Sequence, residues 1–133
     1  MERSLVLIKP DAVEKNIIGE IISKYEENGL KVVALKMERI SKDFACMHYE
    51  EHIGKEFFES LIKFITRGPL CELILEGENA IQKIREINGS TNPEKAAEGT
   101  IRRLYAASSM ENCVHASDSI ESAKREIKLW FGN

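Results

Sequence analysis

Apolar and polar positions alternate along this chain with two different periods. Ser4 to Lys9 is an apolar run closed by Pro10, which predicts a buried strand. Ile18, Ile21, Ile22 and Tyr25 fall at i, i+3, i+4 and i+7, the stripe of an amphipathic helix, and Asn28-Gly29 supplies its C-terminal cap. Over residues 30–40 the period changes to two. Val33, Leu35 and Met37 alternate with Ala34, Lys36 and Glu38, predicting a strand with one apolar face and one wet face. Residues 42–49 read as a short helix. A longer helix from near Lys55 carries Phe58, Leu61, Ile62 and Ile65 and stops at Arg67-Gly68-Pro69. Leu70 to Glu76 reads as a third strand with Cys71, Leu73 and Leu75 on one face. Gly77-Glu78-Asn79 then turns into a helix carrying Ile81, Ile84 and Ile87.

From Gly89 to Asn112 the periodicity is lost. A compact domain rarely keeps so long an irregular segment without a use for it. Its apolar residues Ile101, Leu104, Tyr105 and Met110 are too scattered for a core of their own, so packing against a second copy of the chain is the expected restraint. Cys113-Val114-His115 reads as a short fourth strand. Asp118 and Glu121 form a capping pair for a last helix, with Ile120, Ala123, Ile127 and Trp130 on its core face. The order β-α-β-(αα)-β-α-loop-β-α predicts an α+β fold: a ferredoxin-like sandwich, a four-stranded antiparallel sheet with helices packed on one face. A doubly wound parallel sheet is the alternative, but Pro10-Asp11 is not the Gly-rich first turn that fold uses.

Composition narrows the function. The chain has 133 residues, 43% of them hydrophobic, which fits one domain over 1–133. Nineteen basic against 22 acidic residues give a net charge of −3, which argues against a duplex-DNA binder but leaves a local anion site open. The run Leu5–Ile8 is too short for a signal-peptide core or a membrane span. Cys46, Cys71 and Cys113 are odd in number and contain no C-x-x-C, so reduced thiols in a cytoplasmic protein are expected.

Neither the P-loop nor the dinucleotide fingerprint is present. His48 and His52 stand at i, i+4, but with no third ligand near them in sequence they read as a polar helix face and its following turn, and no metal site from protein residues is expected. His115 ends an apolar run just before a helix start, where free N–H groups and a partial positive charge favour an anion. A half-buried, hydrogen-bonded histidine is the alternative. Glu126 lies off the core stripe of the last helix and can lean back toward His115. A carboxylate on one ring nitrogen would leave the other free as nucleophile. Ser117 adds a hydroxyl beside them. Arg85, Thr91, Arg102 and Asn112, with Lys9 at the end of the first strand, suit a polyphosphate and a sugar, although each Arg alone reads as surface. Phe57, beside the stripe and one turn before Leu61, can stack a base or serve as a satellite core contact.

Four segments carry a resemblance: Ile8-Lys9-Pro10-Asp11, Ser90-Thr91-Asn92-Pro93, Gly99-Thr100-Ile101-Arg102, and Asn112 through Ser119 with His115 at its centre. With Leu129-Trp130-Phe131 they resemble the nucleoside diphosphate kinase family, in that family's order, from about Ser4 to Phe131. The resemblance departs at Arg103-Leu104, where the family usually has a small residue and then Asp, and at Met110-Glu111, where it often has Gly-Arg or Gly-Lys. It implies a ferredoxin-like fold and ping-pong transfer of a γ-phosphate from a nucleoside triphosphate to a nucleoside diphosphate through His115, with little base selectivity. It also implies roles for Lys9, Tyr49, Arg85, Thr91 and Arg102 around the phosphates, for Phe57 and Leu61 at the base, and for Asn112 with Lys9 at the ribose. The resemblance further implies that Glu126 and Ser117 orient the histidine. Mg²⁺ is the implied cofactor, bridged by phosphate oxygens, and a homo-tetramer or homo-hexamer the implied assembly. Neither nucleic acid nor membrane is an expected partner. Two rivals remain from other classes. A histidine phosphocarrier would not need Phe57 or the arginine-rich loop. A nucleic-acid module should carry aromatics on adjacent strands, and residues 4–9 and 70–76 contain none.

Overall fold

Glu2–Ile8 form strand β1, in which Leu5, Val6, Leu7 and Ile8 are all fully buried. The structure, a computed structural model, describes residues 1–132. Pro10–Glu14 make a one-turn helix, α1, which five residues are too few to announce by a stripe. Then follow α2 (Ile18–Glu27), β2 (Lys31–Glu38), α3 (Lys42–His48), a 3-10 turn at Glu50–His52, and α4 (Phe58–Ile65). The second half holds β3 (Leu70–Gly77), α5 (Ala80–Asn88), a 3-10 turn at Pro93–Lys95, α6 (Ile101–Tyr105), β4 (Val114–Ala116) and α7 (Ile120–Phe131). The strands lie in the order β2-β3-β1-β4, all antiparallel. This is the expected ferredoxin-like α+β fold.

Helices cover both faces of the sheet, not one. The reason lies in β1 and β3, whose side chains are apolar on both sides of the pleat. Val6, Ile8, Leu73 and Leu75 meet Ile21 and Tyr25 of α2 and Ile84 of α5. Leu5, Leu7 and Leu70 meet Ala45 of α3, Ile62 and Ile65 of α4 and Trp130 of α7. Each large side chain buried this way contributes roughly 1.5–3 kcal/mol.

Three other expectations are corrected. The apolar row of β2 faces outward: Val33 is 36% exposed, Leu35 55% and Met37 50%. Alternation predicts the strand correctly, but β2 is an edge strand and no helix among the described residues covers that row. Ile120 is 54% exposed, because it is the first residue of α7 and the core face begins with Ala123. The cap of α7 is Ser119, whose Oγ accepts from the N–H of Ser122 at 3.0 Å; Asp118 instead accepts from the Ser122 hydroxyl.

The 89–112 segment is held from within. Ile101 is fully buried in the core on the α2 and α5 side, and Thr100 caps α6 by accepting from Arg103 N–H at 3.3 Å. Gly89 has φ +85°, and a Cβ there would come within 2.5 Å of Thr100 Oγ1, so only glycine lets the loop fold back this closely. The segment is thus tied to its own chain at Gly89, Thr100 and Ile101. Its apolar residues looked scattered because Ile101 finds its partners far away in sequence.

Candidate active site

One cleft of about 1160 Å³ opens between the α3–α4 region and the 89–112 loop, over the end of β4. Lys9, Tyr49, Phe57, Leu61 and Arg85 line it, as do Thr91, Arg102, Asn112, His115 and Glu126. Ser117 is fully buried behind the wall.

His115 stands on β4 opposite Leu7, which fixes its place relative to the centre of the sheet. Its Nε2 is 2.9 Å from Glu126 Oε1, and its side chain is 23% exposed. Ser119 sets the start of α7, so Glu126 lies two turns in and leans back toward β4. Ser117 Oγ donates to the same carboxylate oxygen at 2.8 Å and accepts from the N–H of Leu5 at 3.2 Å. Burial works to raise the Glu126 carboxyl, but the bond and charge of His115 and the Ser117 hydroxyl outweigh it and hold it below its ordinary value. An ionised Glu126 accepts from Nε2–H, so Nδ1 is the free ring nitrogen.

The backbone just before His115 is strained. Cys113 has φ +74°, and Val114 N–H bonds back to Asn112 O at 2.9 Å, which makes a γ-turn of the rare hand. Such a conformation costs about 1–3 kcal/mol and persists only when its surroundings hold it. The turn brings Asn112 and His115 to the same cleft. Asn112 Nδ2 donates to Ser109 O at 2.8 Å, while its Oδ1 is buried with no hydrogen-bond partner among the described residues.

Cationic groups gather on the loop side. Arg102 donates to Gly89 O at 2.8 Å and to Val114 O at 2.7 Å, and its Nε–H is buried without a partner. Lys9 is 5% exposed, and burial pulls its ammonium down to about 8. Arg85 and Thr91 are exposed on the cleft wall. Tyr49 is buried, which pushes its phenol above the usual range. Phe57, 42% exposed, stands at the mouth beside Leu61.

One residue reads differently in the structure. His48 is not on a polar face. It is 4% exposed, accepts from Trp130 Nε1–H at 3.0 Å, and meets the His115 ring edge-on at 4.8 Å. Burial, aided by the neighbouring His115, lowers its pKa to about 3, so the ring is neutral. His52 also lines the cleft, with its ring 5.3 Å from Phe57. Neither position shows in the periodicity. The departure at Glu111 is accommodated by Arg67, which ion-pairs with Glu111 at 3.3 Å and with Glu14 at 2.7 Å.

His48, His115 and Glu126 offer donor atoms within 4.8 Å of one another. Trp130 occupies the acceptor nitrogen of His48, and Glu126 is spent on His115 and Ser117. The cluster is a hydrogen-bonded unit. Two imidazoles and one carboxylate are not the oxygen donor set that Mg²⁺ prefers. Among the described residues no helix is long and apolar enough to cross a membrane.

The family model described as nucleoside diphosphate kinase matches residues 2–133. A nucleoside diphosphate kinase of Clostridium perfringens is 68% identical over 131 residues, covering 98% of this chain and 92% of the relative. One of Saccharolobus islandicus is 51% identical, covering 98% and 95%. Among solved structures, the nucleoside diphosphate kinase of Encephalitozoon cuniculi superposes with a TM-score of 0.97 at 36% identity, covering 100% of this chain and 90% of that one. That of Aquifex aeolicus gives 0.95 at 41% identity, covering 98% and 94%. With the histidine–carboxylate pair, the cationic loop and these matches over nearly its whole length, the chain belongs to the nucleoside diphosphate kinase family and is an enzyme of nucleotide phosphotransfer.

Proposed function

We propose that the chain moves the γ-phosphate of a nucleoside triphosphate to a nucleoside diphosphate in two steps, with His115 carrying the phosphoryl group between them. The observation that carries this reading is the 2.9 Å bond from His115 Nε2 to Glu126, which leaves Nδ1 as the nucleophile. In the first step the Nδ1 lone pair forms a bond to the γ-phosphorus. The bond from phosphorus to the bridging oxygen breaks, and its electron pair leaves with the diphosphate. The Nε2 proton stays on the ring, and Glu126 balances the positive charge that the imidazole acquires. In the second step a terminal oxygen of the acceptor diphosphate attacks phosphorus, and the N–P electron pair returns to Nδ1.

Phosphoryl transfer asks for positioning and charge neutralisation more than covalent help. Arg102, Arg85 and Lys9 supply positive charge to the phosphates, and Thr91 and Tyr49 supply hydroxyls. Asn112, with its unpartnered Oδ1, serves the ribose together with Lys9. Mg²⁺ held by the phosphates would neutralise and orient the triphosphate. The deciding assay is purified chain with MgATP and GDP. Production of GTP supports the reading, and its absence without added partner proteins favours a phosphocarrier.

Glu126 acts by orientation. In Glu126→Ala the imidazole keeps its chemistry but loses its support, so kcat should fall by roughly 10–100-fold, as for other carboxylates that orient histidines. Single-turnover kinetics measure this. A variant that is folded and as dead as His115→Ala would contradict the role.

Phe57 and Leu61 take the base, and a stacked ring offers no hydrogen-bond code, so ATP, GTP, CTP and UTP all serve as donors. Stacking on an aromatic is worth roughly 1–3 kcal/mol. Phe57→Ala should therefore lower kcat/KM by on the order of 5–150-fold for every base. A loss confined to one base would refute it.

The chain works, on this reading, as one unit over 1–133 in the cytoplasm, where its three free cysteines suit a reducing compartment. It works as a homo-oligomer. The support is the outward apolar row of β2, Val33, Leu35 and Met37, on an open sheet edge that a symmetric copy can cover. Light scattering on dilute active enzyme tests this, and a mass near 15.1 kDa with full turnover would overturn it.

A further inference from the structure

We propose that Asp11 is a positioning residue for the reaction: it clamps the strained turn at Cys113 that presents Asn112 and His115 to one cleft, and it serves as the counter-charge of Lys9. The inference rests on the reading of His115 as phosphoryl carrier.

Asp11 is 2% exposed, and its Oδ2 accepts from the N–H of Cys113 at 3.0 Å, across 102 residues of sequence. The carbonyl of Cys113 accepts from the N–H of Lys9 at 2.8 Å. Lys9 and Asp11, two positions apart on either side of Pro10, thus take both polar backbone groups of the residue at the centre of the γ-turn. Nothing local favours that turn, since Cys113 is neither glycine nor asparagine and its side chain is fully buried. Released, the backbone would relax to negative φ and swing Asn112 and His115 out of their shared alignment.

The second carboxylate oxygen gives the clamp another use. Oδ1 is buried and has no hydrogen-bond partner among the described residues. A structural cap alone would be served as well by an amide or a hydroxyl. Asp11 and Lys9, on either side of Pro10, are both buried. Burial is the largest influence on Lys9 and works to discharge it. Asp11 opposes this, Arg102 of α6 adds to it, and Cys113 opposes it. His48 on α3 is the other titratable group that senses the Lys9 charge, and the Phe64 ring of α4 lies 5.5 Å from Nζ. The sign follows directly. Without the Asp11 charge, Lys9 gives up its proton at lower pH, and any activity that needs the ammonium falls earlier as pH rises.

Asp11→Asn keeps the size and an oxygen for Cys113 N–H but drops the charge; Asp11→Ala drops both. ATP-to-GDP exchange is measured on the whole chain across pH. At pH 6.5, Asp11→Asn should keep kcat within about 3-fold of wild type, with its alkaline limb moved to lower pH by about half a unit or more. Asp11→Ala should lose kcat by roughly 10–100-fold. Adding Cys113→Gly to it should return part of that loss, because glycine adopts the turn without strain. An alkaline limb of Asp11→Asn that coincides with wild type overturns the proposal, and because this variant is isosteric it does not depend on the alanine variant folding. Wild-type kcat in folded Asp11→Ala overturns it equally. Labelling of wild-type His115 by γ-labelled ATP is run alongside. If wild type carries label while Asp11→Asn keeps the wild-type limb, only the Asp11 proposal fails. If wild type carries none, the carrier reading fails and this proposal falls with it.

Discussion

Incubated with γ-labelled ATP and Mg²⁺ and no acceptor, the protein should take up about one phosphoryl group per chain, acid-labile and alkali-stable, and His115→Ala should take up none. The same variant should lose turnover by on the order of 10⁴-fold or more, the scale seen when a nucleophile acting in a concerted unit is removed. Nε2 is spent on Glu126 at 2.9 Å, and the helix start that follows at Ser119 favours an approaching anion. The phosphoryl group should therefore sit on Nδ1, which phosphorus NMR of the labelled protein distinguishes from Nε2. Neutral His48, packed edge-on against His115, adds no charge to compete with the incoming phosphate. Label that persists in His115→Ala would remove the residue from the mechanism.

The second large effect is expected at Arg102. Its guanidinium ties Gly89 O to Val114 O, so one side chain joins the 89–112 loop to the strand that carries His115. Two of its five N–H donors are used in this way, and others remain for a phosphate. Arg102→Ala should lower kcat/KM by on the order of 10²–10³-fold, the usual cost of deleting one donor aimed at developing charge. It should also destabilise the fold, since each carbonyl left without its partner costs roughly 1–3 kcal/mol. Arg102→Lys should not rescue either effect, because a point charge on a flexible stem cannot bridge both carbonyls. Exchange kinetics together with thermal melts decide this. Wild-type behaviour of the lysine variant would show that charge alone suffices there.

The sequence displayed those parts of the fold that depend on near neighbours. The stripes of α2 and α5 and the alternation of β3 are local, and each appeared where expected. The outward turn of Leu35 and Met37 was not legible, because alternation shows that a strand has an apolar face but not whether anything covers it. The 89–112 loop misled for a related reason: Ile101 is buried by residues far off in sequence. His115 could be found from the helix start after it, and Glu126 from its place off the core stripe. Phe57 stood out as an aromatic beside the stripe. Tyr49 came through family resemblance alone. His48 and Asp11 were hidden because the partners that define them, Trp130 and Cys113, lie 82 and 102 residues away.

Strand order also bears on how the molecule is made. β1 is paired with β3 over seven residues but with β4 over three, and β4 carries His115. A chain ordered only through residue 112 would hold β1 with an open edge, with the core beneath α7 uncovered. Pairings between such distant segments form late, since loop closure must come first. The one tryptophan, Trp130, is buried against His48 by the same helix that seats Glu126 on His115. Tryptophan emission and phosphoryl transfer should thus return together on refolding, as one consequence of closing the sheet.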